Sequence, residues 1–119
     1  MATVAAAPVP VKGFGDDANV VTWTPLTSAN NVGAAVEAPG MSDRSVQFSG
    51  TWDSATAVLQ GSNDGTTWFT LTDPQGNAIS ATADKLEMIE ELTRYIRPST
   101  SGGGGSQSIS CIVLMKRVR

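Results

Sequence analysis

The residue types that most often carry out catalysis are scarce in this sequence. It contains no histidine, which removes both the imidazole base of nucleophilic triads and a frequent metal ligand. Cys111 is the single cysteine, so neither an internal disulfide nor a cysteine zinc site is expected. It lies in the apolar run 109–115, where a buried and inert thiol is expected. We therefore predict a protein that is not an enzyme and that needs no cofactor and no metal ion.

The carboxylates are placed for turns rather than for catalysis. Aspartates between predicted strands usually accept hydrogen bonds from the backbone of their own turn. Asn63, Asp64, Asp73 and Asn77 offer oxygen ligands of the kind that calcium prefers, but their spacing matches no calcium-binding loop. We expect neither paired-carboxylate catalysis nor a bound cation. The aspartates in predicted turns are Asp43, Asp53, Asp64 and Asp73.

Tryptophan is the residue type best suited to bind a partner surface or a sugar ring. Trp52 falls on the apolar side of an alternating segment and is expected in the core. Trp68 alternates with Phe69 and Leu71, so its side chain is expected to point away from the core. Trp68 is therefore a candidate contact for a partner protein or a glycan.

Two arginines, Arg94 and Arg97, flank a Tyr-Ile pair. One interpretation pairs them with a nearby acidic cluster formed by Glu87, Glu90 and Glu91. The other gives them bidentate hydrogen bonds across an interface, which the planar guanidinium group makes well. Both arginines are candidate interface residues.

The charge balance argues against a nucleic acid partner. The net charge is −3 and the sequence pI is about 4.7, so no domain-wide positive field is expected. The basic residues Lys116, Arg117 and Arg119 at the end of the chain are either solvated or a contact for an acidic patch on a partner. We expect no membrane span, because no run approaches about 18 apolar residues. We also expect no secretory signal, because Pro8 and Pro10 interrupt the apolar start.

Short β-strands are the elements expected to position these residues. In the segment 44–52, Val46 and Phe48 alternate with Ser45 and Gln47, the period-2 pattern of a strand with one buried face. The Ser-Asn-Asp-Gly sequence at 62–65 predicts a hairpin turn. A low charged fraction, 16%, and 12 glycines are typical of a β-sandwich with tight turns.

Three further segments complete the predicted sandwich. Segment 84–92 has features of both helix and strand, and its β surroundings favour a strand. The glycine tract 102–105 predicts a flexible hairpin loop. Segment 108–118 is apolar on both faces, so it is either a central strand covered on each side or a strand at a subunit interface.

The N-terminal residues 1–18 are predicted to form an extended arm. Pro8 and Pro10 favour extended backbone, and Val9, Val11 and Phe14 are candidate contacts with the arm's own domain or with a neighbour. Residues 19–119 form the predicted sandwich domain. The fold class is therefore all-β, a β-sandwich of jelly-roll type with an extended N-terminal arm.

Four motifs carry a family resemblance. Over residues 32–118, their order resembles that of small structural proteins encoded beside the major capsid gene of tailed bacteriophages, the capsid decoration or cement proteins. A hairpin and strand within them are also similar to discoidin-type, galactose-binding jelly rolls, which supports the fold. The motifs are SDRSVQFSGTW at 42–52, LQGSNDGTTW at 59–68, TDPQGN at 72–77 and RYIRPS at 94–99.

The resemblance implies a location and a partner. It implies a protein made in the host bacterial cytoplasm that binds the outer surface of the virion, contacts the major capsid protein and stabilises neighbouring coat subunits. It also implies a homo-oligomer, a dimer or a trimer. The alternatives are a tail or fibre component of a virion and a carbohydrate-binding module that uses Trp68.

Overall fold

The computed structural model describes residues 3–11 and 18–117, which form ten β-strands in two sheets with antiparallel pairing. The first sheet contains, in spatial order, β1 (Ala7–Val11), β2 (Ala18–Leu26), β10 (Ser108–Lys116), β4 (Asp43–Thr51) and β8 (Lys85–Ile89). The second contains β3 (Val36–Glu37), β9 (Tyr95–Ser101) and β5 (Thr56–Ser62), with β6 (Phe69–Thr70) and β7 (Ser80–Ala81) sharing the outer edge of β5. The predicted all-β sandwich is confirmed, while its jelly-roll type stays a prediction.

The alternating segment 44–52 forms β4 and lies as its pattern predicts. Val46 and Phe48 are buried, Ser45 is half-buried and Gln47 is exposed. Trp52 packs against the core and donates a 2.8 Å hydrogen bond from Nε1 to Asp84 Oδ1. The apolar face of β4 thus supplies one wall of the core.

Strand β10 is the central strand of the first sheet, between β2 and β4. Its inner face, which includes Ile109, Val113 and Met115, is buried. Cys111 lies in the same row, and burial raises the pKa of its thiol. A buried, protonated thiol is a poor nucleophile, in keeping with the inert cysteine expected from the sequence.

The segment 85–89 is strand β8, so the preference for a strand over a helix at 84–92 is confirmed for these residues. It pairs with β4 at the far edge of the first sheet. Its register places Ile89 opposite Arg44, and both side chains are buried. Pairing with β4 therefore decides the ambiguity that the local sequence left open.

The N-terminal segment 3–11 lies against its own domain, which is one of the two contacts expected for the predicted arm, and its residues 7–11 are an extended strand. Val4 is only 8% exposed and belongs to the core. Its amide donates to Val32 O (2.9 Å), and its carbonyl accepts from the Ala34 amide (2.7 Å). Strand β1, which contains Pro8 and Pro10, pairs with β2 at the edge of the first sheet. The predicted boundary at residue 18 falls beside residues 12–17, which lie outside the described part of the chain.

The glycine tract 102–105 is a connection between the sheets rather than the predicted hairpin loop, because β9 belongs to the second sheet and β10 to the first. The amide of Gly104 donates to Asp53 O at 3.1 Å, and the amide of Ser106 donates to Asp53 Oδ2 at 2.9 Å. A Cβ at Gly104 would collide with the Asp53 carboxylate. Glycine is needed here for a close approach to the turn at residue 53.

Strands β5 and β6 pair antiparallel, which confirms the predicted hairpin at 62–65. Asp64 Oδ1 accepts hydrogen bonds from the Thr66 and Thr67 amides, both at 2.8 Å, and from the Ser62 hydroxyl at 2.8 Å. Gly65 takes a φ of 76°, a left-handed conformation that glycine adopts without strain. The hairpin is closed by one carboxylate and one glycine.

Arg44 is a buried cation that ties three segments together, with only 2% of its surface exposed. Its Nε donates to Met41 O at 2.5 Å, and its Nη2 donates to Ala38 O at 2.6 Å and Thr93 O at 2.9 Å. Burial lowers the pKa of this guanidinium. Backbone carbonyls, rather than a carboxylate, are the acceptors that these bonds use.

Within the described residues, none of the chain forms a helix that is long and apolar enough to cross a membrane.

Candidate interaction surfaces

The solvent-facing side of the first sheet carries two apolar rows. Directly opposed residues of antiparallel strands point to the same face of a sheet. One row therefore runs across all five strands through Val9, Val20, Leu114, Ser45 and Met88.

The adjacent row contains Ala7, Thr22, Ile112, Gln47 and Leu86. It lies two residues along each strand, at a separation of about 7 Å. The two rows together carry six large apolar side chains, and we call this surface the apolar face. Its residues are Val9, Val20, Leu86, Met88, Ile112 and Leu114.

The apolar face is open to solvent in this chain. Leu86 is 68% exposed, Val9 58%, Met88 54% and Leu114 46%, while Val20 and Ile112 are half-buried. Five strands at a spacing of about 4.8 Å make the face roughly 20 Å wide. Strand β4 contributes Ser45 and Gln47 between the apolar residues of β10 and those of β8. Large exposed apolar surface of this kind marks contact sites for other molecules.

Polar residues border the apolar face on both sides along the strands. Beyond one row, Lys116 pairs in register with Asp43, and their charged atoms lie 3.7 Å apart. Beyond the other row, Ser110 lies opposite Ser49 and exchanges a 2.7 Å hydrogen bond with the Thr24 hydroxyl. An apolar centre with a polar rim is the anatomy of a protein–protein interface.

The outer side of the second sheet carries a different chemistry. Arg97 lies in register with Gln60 on β5, and its Nε donates to Gln60 Oε1 at 2.9 Å. Its guanidinium carbon is 4.0 Å from the ring centroid of Trp68, a cation–π contact. Just before β9, the guanidinium carbon of Arg94 lies 5.0 Å from the Tyr95 ring centroid. Trp68, Arg94, Tyr95 and Arg97 are named here the cationic face.

The two arginines differ in how their charge is balanced. Arg94 Nε lies 2.5 Å from Glu37 Oε2, and this hydrogen bond and its attraction raise the pKa of Arg94. Arg97 makes no ion pair with any carboxylate among the described residues, and burial lowers the pKa of its guanidinium. Arg94 is therefore compensated inside the chain, whereas Arg97 is not.

The predicted pairing of these arginines with the glutamate cluster at 87–91 is wrong. Glu87 pairs with Lys85 at 2.5 Å. Glu91 accepts hydrogen bonds from the Thr72 amide at 2.8 Å and the Thr72 hydroxyl at 2.5 Å. Glu87 lies in β8 of the first sheet and Glu91 is bonded to Thr72, whereas Arg97 lies in β9 of the second sheet.

The predicted interface residues are divided between two opposite faces. Val9 belongs to the apolar face, Lys116 lies at its border, and Trp68, Arg94 and Arg97 form most of the cationic face. Arg117 is exposed just after β10. Val11 lies in β1, with its side chain outside the described set, and Phe14 and Arg119 also lie outside the described residues.

The sequence patterns did not identify Leu86, Met88 and Leu114 as candidate interface residues. A signal was present, because β10 was predicted to be apolar on both faces and Leu86 and Met88 alternate with Glu87. What the sequence did not supply is the neighbour relation of β10, β4 and β8, which places these residues on one side of a sheet.

Asp64 and Asp73 accept hydrogen bonds from the backbone of their own turns. The pKa of Asp64 is lowered to about 2 by hydrogen bonds from the Thr67 and Thr66 amides and the Ser62 hydroxyl. Asp73 Oδ1 accepts from the Gln75 and Asn77 amides at 3.0 and 2.9 Å. Among the described residues, no group of three or more His, Cys, Asp or Glu side chains could hold a metal ion.

An open groove of about 460 Å³ lies at the edge of the second sheet, between β6 and the segment 91–93. Phe69, which is 66% exposed, and Leu71 line it. Its one carboxylate in that segment, Glu91, is already bonded to Thr72. Asp64 also lines the groove and accepts hydrogen bonds from the Thr66 and Thr67 amides, so both carboxylates of the groove are hydrogen-bonded.

No known family model matches the sequence, and no curated protein matches it significantly. Among solved structures, the chain is similar to the SPBc2 prophage-derived protein YomS, with a TM-score of 0.58 and 10% identity over 87% of this chain and 98% of that one. At this identity the likeness shows a shared fold.

The K1 cleaved adhesin domain of Lys-gingipain from Porphyromonas gingivalis W83 aligns over 98% of this chain and 85% of that chain, with 14% identity and a TM-score of 0.38. The K3 cleaved adhesin domain of the same protein aligns over 93% of this chain and 70% of that chain, with 12% identity and a TM-score of 0.35. These scores are too low to support a shared architecture.

Proposed function

We propose that this chain is a structural protein of a bacteriophage virion, a capsid decoration protein that binds the major capsid protein and stabilises contacts between coat subunits. The observation that carries the proposal is the apolar face, four of whose side chains are about half exposed or more. A partner that covers the apolar face gains binding free energy, because removing apolar surface from water contributes roughly 25 cal/mol per Å².

Two further observations support this function. The fold is shared with a prophage-derived protein, and the order of the four motifs resembles that of decoration proteins. An exposed apolar face and an uncompensated arginine stacked on a tryptophan are both suited to adhesion. Repeated binding on a lattice needs only modest affinity at each site, because effective concentration supplies the rest.

The direct test uses capsids prepared without the protein. We expect purified protein to bind them at a fixed copy number and to raise the temperature at which they break. Equal breakage temperatures with and without bound protein would refute the cementing role. An absence of binding would refute the proposed partner.

A matched pair of variants tests the surface. Leu114→Lys places a charge in the centre of the apolar face, whereas Phe69→Lys places one at a similarly exposed position outside it. Because a buried unpaired charge is costly, we expect Leu114→Lys to weaken capsid binding by on the order of ten-fold or more. Phe69→Lys should bind as the wild type does.

A second copy of the chain is the competing occupant of the apolar face. Sedimentation velocity of the free protein distinguishes the two. If the wild type is an oligomer that Leu114→Lys converts to a monomer while capsid binding persists, the face joins copies and the assignment of the coat protein to it is wrong.

A further inference from the structure

Arg97 is a cation held in a fixed orientation. Trp68 covers one side of its guanidinium plane at 4.0 Å, and Gln60 accepts the Nε proton at 2.9 Å. An arginine side chain loses rotamer entropy when it is immobilised. In this chain the Arg97 side chain is already ordered before a partner binds, so less entropy is lost on binding.

The two terminal nitrogens of Arg97 are available for a ligand. The described residues supply an acceptor to Nε but none to Nη1 or Nη2, and they provide no carboxylate within ion-pair distance. The guanidinium edge that remains has the fork geometry that accepts a carboxylate through two parallel hydrogen bonds.

We propose that Arg97 and Trp68 form a receptor for a carboxylate side chain, an aspartate or glutamate on the surface of a partner protein. Tryptophan and arginine are the residue types most enriched among those that dominate protein interfaces. The acidic partner is the coat protein if the proposed function holds, and only this identification rests on that function.

Phosphate groups are a poorer match to this site. Phosphate recognition generally uses several cations or backbone amides together. The other arginine of the cationic face, Arg94, is already paired with Glu37 at 2.5 Å, and the net charge of the chain is −3. A single uncompensated arginine suits a single carboxylate.

The test is a titration of the full chain with a tetraglutamate peptide, followed by the NMR signals of the Arg97 Nε–H and the Trp68 indole N–H. We expect saturable shifts that a tetraglutamine peptide does not produce. Arg97→Lys keeps the charge but loses the fork, and should weaken binding about five-fold. Lys85→Arg, a control that exchanges the same two cation types on β8 of the other sheet, should bind as the wild type does.

Three outcomes would overturn the inference. These are equal shifts with the glutamine peptide, equal weakening by Lys85→Arg and Arg97→Lys, and stronger shifts with inorganic phosphate at the same concentration. The last would identify a phosphate group as the ligand.

Failure of this inference is separable from failure of the proposed function. Capsid binding that survives Arg97→Lys supports the decoration role and overturns the coat carboxylate as the ligand of Arg97. Peptide binding without capsid binding supports the receptor and refutes the decoration role.

Discussion

Leu114 and Met88 lie on either side of Ser45 in one register row across β10, β4 and β8. Because all three side chains point to solvent, a charge at residue 114 enters no core. We predict that Leu114→Lys changes the free energy of unfolding by about 0.5 kcal/mol or less. Urea denaturation followed by circular dichroism measures this, and a loss of several kcal/mol would mean that Leu114 packs within its own domain.

Val4 connects the N-terminal segment to the core. We predict that Val4→Ala lowers the free energy of unfolding by roughly 1 to 3 kcal/mol, because it removes two buried methyl groups and leaves a cavity. The control is Val9→Ala in the same segment, where the side chain is 58% exposed. Chemical denaturation should give a lower free energy of unfolding for Val4→Ala than for Val9→Ala. Equal values would mean that residues 3–11 do not contribute to the core.

Arg44 satisfies the carbonyls of Met41, Ala38 and Thr93 in a buried position. We predict that Arg44→Met lowers the free energy of unfolding by about 2 to 4 kcal/mol, since it leaves these acceptors without donors. Arg44→Lys should cost less, because its ammonium retains donors.

Arg94→Met provides the exposed counterpart of this substitution. Removing its surface ion pair should cost about 1 kcal/mol or less. If thermal melting finds the two arginine-to-methionine variants equally stable, the hydrogen bonds of Arg44 do not contribute as inferred.

Asp64 links the stability of the β5–β6 hairpin to pH. Its pKa is lowered from 3.8 to about 2 in the folded chain. The contribution of its carboxylate is therefore fully present above pH 3.8 and is lost as the pH falls through about 2. We predict that Asp64→Asn flattens the melting temperature against pH in this window, relative to the wild type. Parallel curves for the two proteins would contradict the assigned role.

Local patterns predicted the long strands well. The alternation at 44–52 and the Ser-Asn-Asp-Gly turn at 62–65 depend on residues that are neighbours in sequence, and both are confirmed. In the segment 32–37, only Val36–Glu37 forms a strand, β3, while Val32 and Gly33 form isolated bridges. The rest of that segment contacts the core through Gly33, against which Pro98 and Trp23 pack too closely for a Cβ.

Relations between distant segments were beyond the reach of local patterns. The ion pair of Arg94 joins residues 57 positions apart, and no periodicity distinguishes Glu37 from the nearer glutamates. The apolar face likewise depends on which strands are neighbours. The place of Trp68 on the surface agrees with the sequence pattern, but the stacking of Arg97 on its ring depends on the pairing of β5 with both β9 and β6.

The proline content of strand β1 affects how copies of this protein can associate at high local concentration. Two of its five residues, Pro8 and Pro10, lack the amide proton that a further strand needs for its hydrogen bonds. This edge of the sheet is therefore a poor template for strand addition, the route by which sandwich proteins polymerise into fibres. Molecules concentrated on a repeating surface would contact one another at this edge through side chains rather than through backbone hydrogen bonds. Such contacts would be reversible and would not extend the sheet from one molecule to the next.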